Sequence, residues 1–299
     1  MIGRGAAATS GKPASASRRR PAIIESRVAE YASAVVARAF NAAFEDYVVR
    51  LAFTPQAFER RLRGENLDPH ASSIYWRGTD PAGILLVARR GWTCRVAAMA
   101  VAPAFRGQGL GRRMLTMAIE EAGKRGDRRM LLEVLENNPA ARALYESCGF
   151  AVRRRLIGFT LPAGTQPSSA AAGLTDVDPF RVAGLLARDS IRDWPWNLSP
   201  QTLAALTPPS RALALADDAF AAVSETDAET IRVNALFVPG PRRRQGHGSR
   251  LLRALAGAFP TQAFAFTPLI PEGLADGWFL KNGWARHPLV QLEMERALR

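Results

Sequence analysis

The spacing of apolar and polar residues predicts helices and strands around a central sheet. Apolar positions recur at helical intervals in several segments, and one predicted helix has Thr54 as its N-cap and Pro55 in its first turn. Shorter apolar runs predict strands. The predicted elements of the first half are helices at 30–44, 55–63, 109–125 and 139–148, and strands at 72–76, 83–89, 92–101, 130–134 and about 153–161. This order predicts an α/β (α+β) fold.

The second half of the chain repeats the pattern of the first. Residues 95–120 (RVAAMAVAPAFRGQGLGRRMLTMAIE) align with residues 232–257 (RVNALFVPGPRRRQGHGSRLLRALAG), and ten of the 26 positions are identical. Downstream, YESCGF aligns with FLKNGW, and upstream the comparison pairs Asp46 with Asp193. A match of this extent predicts a tandem duplication rather than one shared motif.

Composition divides the chain into two domains of similar size. Residues 1–20 contain five basic and no acidic residues, so we expect a disordered basic tail or a start codon placed upstream, with an organellar transit peptide as the alternative. The segment PAGTQPSSAAAG, rich in small residues and proline, predicts a linker at 163–173. The N-terminal domain then covers 21–162 and the C-terminal domain covers 174–299.

The overall composition excludes several classes of protein. With 47% hydrophobic residues the chain is not intrinsically disordered, and its two cysteines are too few for a disulfide framework. The three histidines lack the spacing of metal ligands, so we expect no metal. No apolar run reaches the length that spans a bilayer, and we expect a cytoplasmic protein without a membrane partner.

The net charge of +13 reflects 37 arginines, against three lysines. Such a charge predicts attraction to anions, and a phosphorylated cofactor is an anion. Arginine clusters at 153–155 and 242–244 suggest an RNA-binding face, but the stacking aromatics of single-strand binders are absent from them. We therefore expect no nucleic-acid partner and interpret both clusters as solvated or cofactor-facing.

A glycine-rich segment at 101–111, VAPAFRGQGLG, connects a predicted strand directly to a predicted helix. Gly107, Gly109 and Gly111 allow a ligand to approach the backbone, and the first amides of the helix have no intrahelical partner. The helix dipole and the nearby arginines add positive potential, so the segment predicts a phosphate site. Its spacing fits neither a P-loop nor a dinucleotide fingerprint. On these residues alone, a solvated glycine turn is the alternative.

Two motifs together resemble those of the GNAT (GCN5-related) N-acetyltransferase superfamily. Arg106-x-x-Gly109-x-Gly111 is similar to the pyrophosphate loop of that family, and the segment LEVLENNPAARALYESCGF at 132–150 resembles its second motif. The resemblance covers about residues 26–162. It implies two tandem GNAT acyl-CoA N-acyltransferase folds, each a mixed central sheet flanked by helices, the second one degenerate.

The resemblance also implies that acetyl-CoA binds in a cleft where two central parallel strands splay apart. Strand residues would pair through their backbone with the pantetheine arm, the loop amides would hold the pyrophosphate, and one asparagine would contact the cofactor near its thiol. The residues so implicated are Met99, Ala100, Val101, Arg106, Gly107, Gln108, Gly109, Leu110, Gly111, Arg112 and Asn138. The amine acceptor would attack the thioester carbonyl directly.

Two residues are candidates for proton transfer. Tyr145 suits the proton donor to the departing thiolate, because a phenol has an ordinary pKa of about 10, near that of a thiol. The alternative for Tyr145 is a packed core aromatic. By resemblance to the peptide N-terminal acetylating branch of the family, Glu133 in a Leu-Glu-Val strand is the candidate base. Deprotonation through a water, or by Glu136, is the alternative to Glu133.

The second half keeps the loop but loses the polar positions of the second motif. Thr267, Glu272 and Phe279 stand in place of its Glu, Asn and Tyr, and phenylalanine donates no proton. We therefore expect the second domain to be catalytically silent. His247 begins the helix after its loop, and we expect this side chain to face solvent or phosphate.

These features predict an acyltransferase that moves acetyl from acetyl-CoA to a primary amine, of a small molecule or a peptide N-terminus, in its N-terminal domain. Two alternatives stay open, a protein N-terminal or lysine acetyltransferase and a non-catalytic CoA-binding sensor. We expect a monomer or a homodimer. The acceptor is not encoded in any transferable pattern.

Overall fold

The computed structural model describes residues 21–48, 53–165, 173–189, 193–225 and 229–298. The predicted tail at 1–20 and most of the predicted linker lie outside these residues. The N-terminal half contains β1 (Ile23–Arg27), α1 (Ser33–Ala43), α2 (Pro55–Gly64), β2 (Ser73–Arg77), β3 (Asp80–Arg90), β4 (Thr93–Val101), α3 (Leu110–Lys124), β5 (Arg129–Leu135), α4 (Pro139–Ser147) and β6 (Ala151–Leu161). The C-terminal half contains β7 (Leu174–Asp176), α5 (Pro179–Ala187), α6 (Pro200–Ala204), β8 (Arg211–Leu215), β9 (Ala219–Glu225), β10 (Thr230–Phe237), α7 (His247–Ala258), β11 (Ala263–Pro271), α8 (Asp276–Lys281) and β12 (Ala285–Ala297).

The mixed α/β fold predicted from the pattern is confirmed. Helix α2 begins at Pro55, and the Thr54 hydroxyl accepts a hydrogen bond from the Ala57 amide at 3.1 Å, as an N-cap does. Strand β1 is not among the predicted elements. It is an edge strand that pairs with β2 alone, and its Ile24 side chain is exposed, so the segment has no alternating apolar pattern to detect.

In the described part of the chain, one twelve-stranded sheet joins the two halves. Its strand order is β1-β2-β3-β4-β5-β12-β6-β11-β10-β9-β8-β7. Strand β12 of the C-terminal half pairs with β5, β6 of the N-terminal half pairs with β11, and the two exchanged strands pair with each other. Each half therefore completes the sheet of the other. The domain boundaries at 162 and 174 stay a prediction. Because strands of both halves lie in one sheet, the sheet itself is not divided at these positions.

Each half contains one pair of parallel strands that separates along its length. Strand β4 is paired with β5 over Thr93–Val96 and Arg129–Leu132, and the two strands part beyond these residues. Strand β10 is paired with β11 from Thr230 to Arg232 and parts from it in the same way. We call these two openings the N-terminal fork and the C-terminal fork. They are the places where a ligand can reach between the strands.

A tryptophan of the C-terminal half completes the core of the N-terminal half. Trp196 is buried in the apolar cluster that α1 and α2 form on one face of the sheet, together with Val36 and Phe40. Its indole nitrogen donates a hydrogen bond to the Glu65 carbonyl at 2.9 Å, and the Arg90 guanidinium lies 4.2 Å from its ring centroid. The second half thus supports the end of α2.

Candidate active site

The N-terminal fork leaves part of β4 with one open backbone edge. On its other edge β4 stays paired with β3 as far as Val101, which lies opposite Gly83. Met99, Ala100 and Val101, the strand residues implicated by the sequence, therefore lie beside the opening, and all three are partly buried. An extended, amide-containing ligand can add hydrogen bonds to such an edge, as a further strand does.

The loop after β4 presents backbone amides at the start of α3. Gly107 and Gly109 have φ of +72° and +78°, in the left-handed region, and Gly109 is the N-cap of α3. A Cβ built on either glycine meets no heavy atom within 4 Å, so the backbone conformation rather than crowding calls for glycine. Because the amides of Leu110, Gly111 and Arg112 begin the helix and lack intrahelical partners, this turn has the geometry that suits an anion.

Arg106 fixes this loop to the connection between α1 and α2. Its Nε donates a hydrogen bond to the Val101 carbonyl at 2.9 Å, and its two terminal nitrogens bind the two carboxylate oxygens of Asp46, each at 2.6 Å. The pairing lowers the pKa of Asp46 through these hydrogen bonds. The guanidinium is therefore occupied by protein contacts, and its contribution to an anion site is to hold the loop in place.

Two further loop side chains are also engaged within the protein. The Gln108 carbonyl oxygen accepts a hydrogen bond from Arg77 at 3.1 Å, and Arg112 donates one to the Ser147 hydroxyl at 2.8 Å. The contact between Arg112 and Ser147 ties the first turn of α3 to the end of α4. The backbone amides are accordingly the groups of this loop best placed to receive a diphosphate.

Tyr145 lies on α4 and is 8% exposed. Its ring packs edge-on against Phe150, within the apolar cluster between the sheet and α3 and α4. Burial, with a smaller contribution from Tyr47, raises the pKa of Tyr145 to about 12. The phenol is thus more strongly held in its protonated form than the sequence implied, which makes it a hydrogen-bond donor across the physiological range. Tyr47 belongs to the connection after α1 and lies close enough to Tyr145 to affect its pKa.

Glu133 lies on the opposite face of the sheet, in a buried charged cluster. Arg95 on β4 binds Glu133 through its Nε at 2.7 Å and Glu65 through a terminal nitrogen at 2.8 Å. Arg61 also pairs with Glu65 and donates to the Ala97 carbonyl at 2.7 Å, at the fork. Burial raises the pKa of Glu133, against the opposing effect of Arg95. A raised pKa suits a group that must accept a proton near neutrality.

Sequence reasoning did not identify the other members of this cluster. Arg95 is the first identical residue of the internal repeat, with Arg232 as its counterpart, and that identity was the available signal. The sequence held no signal for Glu293, because this residue comes from the exchanged strand β12. In the sheet it lies directly opposite Glu133. It is fully buried and accepts hydrogen bonds from Arg153 and Arg154 at 3.2 Å each.

The two remaining predicted residues have structural contacts of their own. Glu136 is exposed and accepts hydrogen bonds at 2.8 and 2.9 Å from Arg155, which lower its pKa and make it the poorer base. Asn138 is the N-cap of α4, and its side-chain oxygen accepts from the Ala141 amide at 3.1 Å. The side-chain NH2 of Asn138 is the part that suits a contact with a ligand. Their roles remain predictions.

The C-terminal half repeats the loop, and its arginine makes the same two kinds of contact with different partners. Arg243 donates to the Val238 carbonyl at 2.9 Å and pairs with Asp189, as Arg106 does with Asp46. The upstream alignment of Asp46 with Asp193 therefore does not extend to this ion pair, which Asp189 makes in the second half. Asp193 instead binds Arg153 and Arg154 of the exchanged strand β6.

His247 begins α7 as predicted, but it does not face solvent. The side chain is buried, and its Nδ1 lies 3.3 Å from an Asp218 carboxylate oxygen. Three positions earlier, Arg244 adopts a φ of +62°, where the first half has Gly107. Left-handed backbone is unfavourable for arginine, and nothing in the structure explains why glycine is absent there.

Two other kinds of feature are absent from the described residues. They contain no group of three or more His, Cys, Asp or Glu side chains arranged to hold a metal ion. Among these residues, none of the helices combines the length and the apolar character needed to cross a membrane.

A forked parallel sheet with a left-handed glycine turn at a helix start is an arrangement that suits a phosphorylated ligand between two strands. Residues 31–150 match the model of the acetyltransferase (GNAT) family. This match covers about two fifths of the chain, and over these residues the chain is similar to the GNAT family.

Similarity to individual proteins agrees with this assignment. The chain is 52% identical over 52 residues to the [ribosomal protein bS18]-alanine N-acetyltransferase of Escherichia coli K12, a match that covers 17% of this chain and 35% of that protein. The chain thus spans about a third of the length of the curated relatives it matches.

Solved structures share the fold of both halves of the chain. A GCN5-related N-acetyltransferase from Sphaerobacter thermophilus superposes with a TM-score of 0.66 at 15% identity, covering 93% of this chain and 96% of the other. A tandem GNAT protein from the clavulanic acid biosynthesis pathway superposes with a TM-score of 0.64 at 15% identity, covering 92% and 98%. The predicted tandem GNAT fold is therefore confirmed.

Proposed function

We propose that the N-terminal half transfers an acetyl group from acetyl-CoA to a primary amine. The observation that carries the proposal is the combination of the N-terminal fork, the anion-binding turn at α3 and a buried tyrosine on α4. The turn would receive the diphosphate, the open edge of β4 at Met99–Val101 would pair with the pantetheine arm, and Asn138 would contact the arm near its thiol. No resident metal or prosthetic group takes part in this scheme.

The reaction needs three events that side chains at this site can support. The ammonium of the acceptor loses a proton to the Glu133 carboxylate, directly or through a water. The free amine then forms a C–N bond with the thioester carbonyl carbon, and the C–S bond breaks. Tyr145 donates a hydrogen bond and then a proton to the departing thiolate. The nitrogen loses its second proton to solvent, and the tyrosinate and the protonated Glu133 regain their starting states by exchange with solvent, so that the products are a neutral amide and the CoA thiol. Both proton transfers are general acid–base steps.

The acceptor class that we favour is a peptide N-terminus. The Escherichia coli relative is named as an enzyme that acetylates an alanine of ribosomal protein bS18. The charged cluster of Glu65, Arg95 and Glu133 beside the fork also suits a polar acceptor rather than an apolar one. Small primary amines and lysine side chains remain the competing acceptors.

Thiol release tests the proposal directly. The full chain is incubated with acetyl-CoA and, separately, with peptides that begin with alanine, with peptides whose α-amine is blocked but that carry a lysine, and with small primary amines. We expect release of CoA thiol with a free α-amine and an acetyl group on that amine by mass spectrometry. Peptides with every amine blocked are the control. Silence with all acceptors, together with tight binding of acetyl-CoA, would instead favour a sensor.

Glu133→Gln tests the base. We expect kcat to fall by about 100-fold, at the lower end of what a positioned base contributes. A carboxylate acts as a base only when ionised, so wild-type activity should fall as the pH drops through the raised pKa of Glu133. This fall is the acidic limb of the pH profile, and the Glu133→Gln variant should lack it. The measurement is a pH profile of kcat/KM.

Glu136→Gln is the matched control for the base, because it makes the same chemical change at an exposed carboxylate. We expect its kcat and its pH profile to equal those of the wild type. Loss of the acidic limb in Glu136→Gln, with an unaltered profile in Glu133→Gln, would transfer the role to Glu136.

A further inference from the structure

Glu133 and Glu293 form a pair of buried carboxyl groups contributed by the two halves of the chain. Glu133 lies on β5, and Glu293 lies directly opposite it on the exchanged strand β12. Residues that oppose each other in antiparallel strands have their side chains on the same face of the sheet, with Cβ atoms about 5 Å apart. The two carboxyl groups are therefore neighbours in the folded protein.

Packing does not explain a glutamate at position 293. Like charges directly opposite each other destabilise a sheet, and burial of a charge adds a further cost. The residues of β5 on either side of Glu133 on this face, Leu131 and Leu135, are apolar and buried. An apolar side chain at position 293 would suit these neighbours without either cost. The carboxyl group of Glu293 therefore indicates a role other than stabilising the sheet.

Two arginines of β6 hold Glu293 as a carboxylate. Arg153 and Arg154 each donate a hydrogen bond to it at 3.2 Å, and the Nε of Arg154 lies 2.7 Å from one of its oxygens. Both arginines also contact Asp193, and Arg153 lies 3.2 Å from a carboxylate oxygen of Glu295. Because two cations lie beside it, the Glu293 side chain keeps its negative charge.

Glu133 has fewer cationic partners than Glu293. Among the described residues, Arg95 is the one cation in contact with Glu133, at 2.7 Å, and Glu65 shares it. Glu65 has a second cationic partner, Arg61. Further cations that interact electrostatically with Glu65 are Arg90 and Arg232. Glu133 is therefore the carboxyl group of this cluster with the least positive charge beside it.

The two carboxyl groups differ in what can reach them. The pairing of β4 with β5 ends at Leu132, so Glu133 is the first residue of β5 where the N-terminal fork opens. Its side chain is 7% exposed, whereas that of Glu293 is 1% exposed. An acceptor amine in the fork can approach Glu133, directly or through a water. Glu293 can influence the reaction only through Glu133.

We propose that Glu293 of the C-terminal half is a positioning residue that makes Glu133 a stronger base. Its negative charge on the neighbouring strand opposes ionisation of Glu133 and so increases the affinity of Glu133 for a proton. In agreement, burial raises the pKa of Glu133, Arg95 opposes this effect, and Glu293 adds to the rise. The inference rests on the proposed function, in which Glu133 accepts the proton of the acceptor. It gives the second half a part in the chemistry of the first.

Glu293→Gln in the full chain tests this role. Glutamine keeps the size of the side chain and removes its charge, which also leaves Arg153 and Arg154 less neutralised, and both changes favour the ionised form of Glu133. We expect the acidic limb of the kcat/KM profile to move to lower pH by about one unit. Glu293→Asp keeps the charge, and its limb should stay within about 0.3 units of the wild type.

Glu295→Gln is the matched control for the loss of charge. Glu295 lies two residues from Glu293 on the same face of β12 and also contacts Arg153, but the residue opposite it on β5 is Leu131. We expect the acidic limb of Glu295→Gln to equal that of the wild type. An equal shift in Glu295→Gln and Glu293→Gln would overturn the specific role of Glu293.

Arg154→Met should have the opposite effect on the acidic limb. It removes one of the two cations that neutralise Glu293, so the negative charge beside Glu133 is less compensated and the limb should move to higher pH. This variant keeps the proposal testable if thermal melts show that Glu293→Gln does not fold. A purely structural role for Glu293 would change the Tm of both variants and move the limb in neither, which would overturn the proposal.

A direct titration of Glu133 separates this inference from the proposed function. The full chain is labelled with ¹³C at the glutamate side-chain carboxyl groups, and the Glu133 signal is identified by its absence from Glu133→Gln. We expect its titration midpoint to fall by about one pH unit in Glu293→Gln, whether or not the protein transfers acetyl. An unchanged midpoint would overturn the role of Glu293 and leave acetyl transfer standing. A shifted midpoint in a chain that transfers no acetyl would count against the proposed function and leave the effect of Glu293 on Glu133 standing.

Discussion

Tyr145→Phe is expected to lower kcat for acetyl transfer by about 100- to 1,000-fold, with the Kd for acetyl-CoA within about threefold of wild type. The substitution removes one buried hydroxyl and keeps the ring packed against Phe150. The lost interaction is made with the sulfur as it becomes a thiolate, so its removal affects the transition state more than the ground state. Steady-state kinetics and calorimetry with acetyl-CoA measure the two quantities.

The pKa of Tyr145 adds a second expectation to this experiment. Burial raises it to about 12, so the phenol stays protonated, and we expect no alkaline loss of activity from its ionisation until the pH approaches that value. Tyr47→Phe is the control, since it removes the neighbouring hydroxyl by the same chemical change. A large loss in Tyr47→Phe with full activity in Tyr145→Phe would show that Tyr47 is the proton donor.

Arg95→Met is expected to lower the free energy of unfolding by about 3–5 kcal/mol at neutral pH. Arg95 is 5% exposed and binds both Glu133 and Glu65, so the substitution leaves two buried carboxylates without their shared partner. Methionine fills much of the volume, which separates the loss of charge from the loss of packing. Urea unfolding followed by circular dichroism provides the measurement.

The size of the Arg95 effect should depend on pH. Burial opposes ionisation of Glu65, but Arg61 and Arg95 together outweigh it and lower its pKa, so its stabilisation is present above its unfolded pKa and is lost as the pH falls. In Arg95→Met both carboxyls take up protons more readily, and the difference from wild type should shrink towards acid pH.

Arg142→Met removes an exposed ion pair with Glu146 and should cost less than about 0.5 kcal/mol. A cost for Arg95→Met that equals this control at every pH would contradict the buried ion-pair interpretation.

The candidate site was predictable where local sequence decides the structure. Thr54 and Pro55 mark the start of α2 because capping is a contact between near neighbours. Gly107 and Gly109 mark the turn before α3 because few other residues tolerate its left-handed backbone. Tyr145 was identifiable because it occurs at a fixed spacing within a motif. Each of these signals acts over a few residues.

Contacts between distant segments were not predictable in the same way. Nothing near Arg243 in the sequence distinguishes Asp189 from Asp193 as its partner, and only the structure shows that Asp189 pairs with Arg243 while Asp193 pairs with Arg153. Glu293 reaches Glu133 because β12 is exchanged between the halves. The raised pKa of Tyr145 depends on how deeply α4 packs, which a motif does not specify.

The sequence by itself determined the duplicated α/β fold, the two glycine turns at helix starts and the loss of the tyrosine from the second copy. These are properties of local backbone preference and residue chemistry. The tertiary structure decided that the two copies share one sheet, that Arg95 and Glu133 are buried together, and that Glu293 of the second half lies opposite Glu133. Those features depend on burial and on long-range strand pairing, because any strand with a suitable edge and pattern satisfies the local rules equally well.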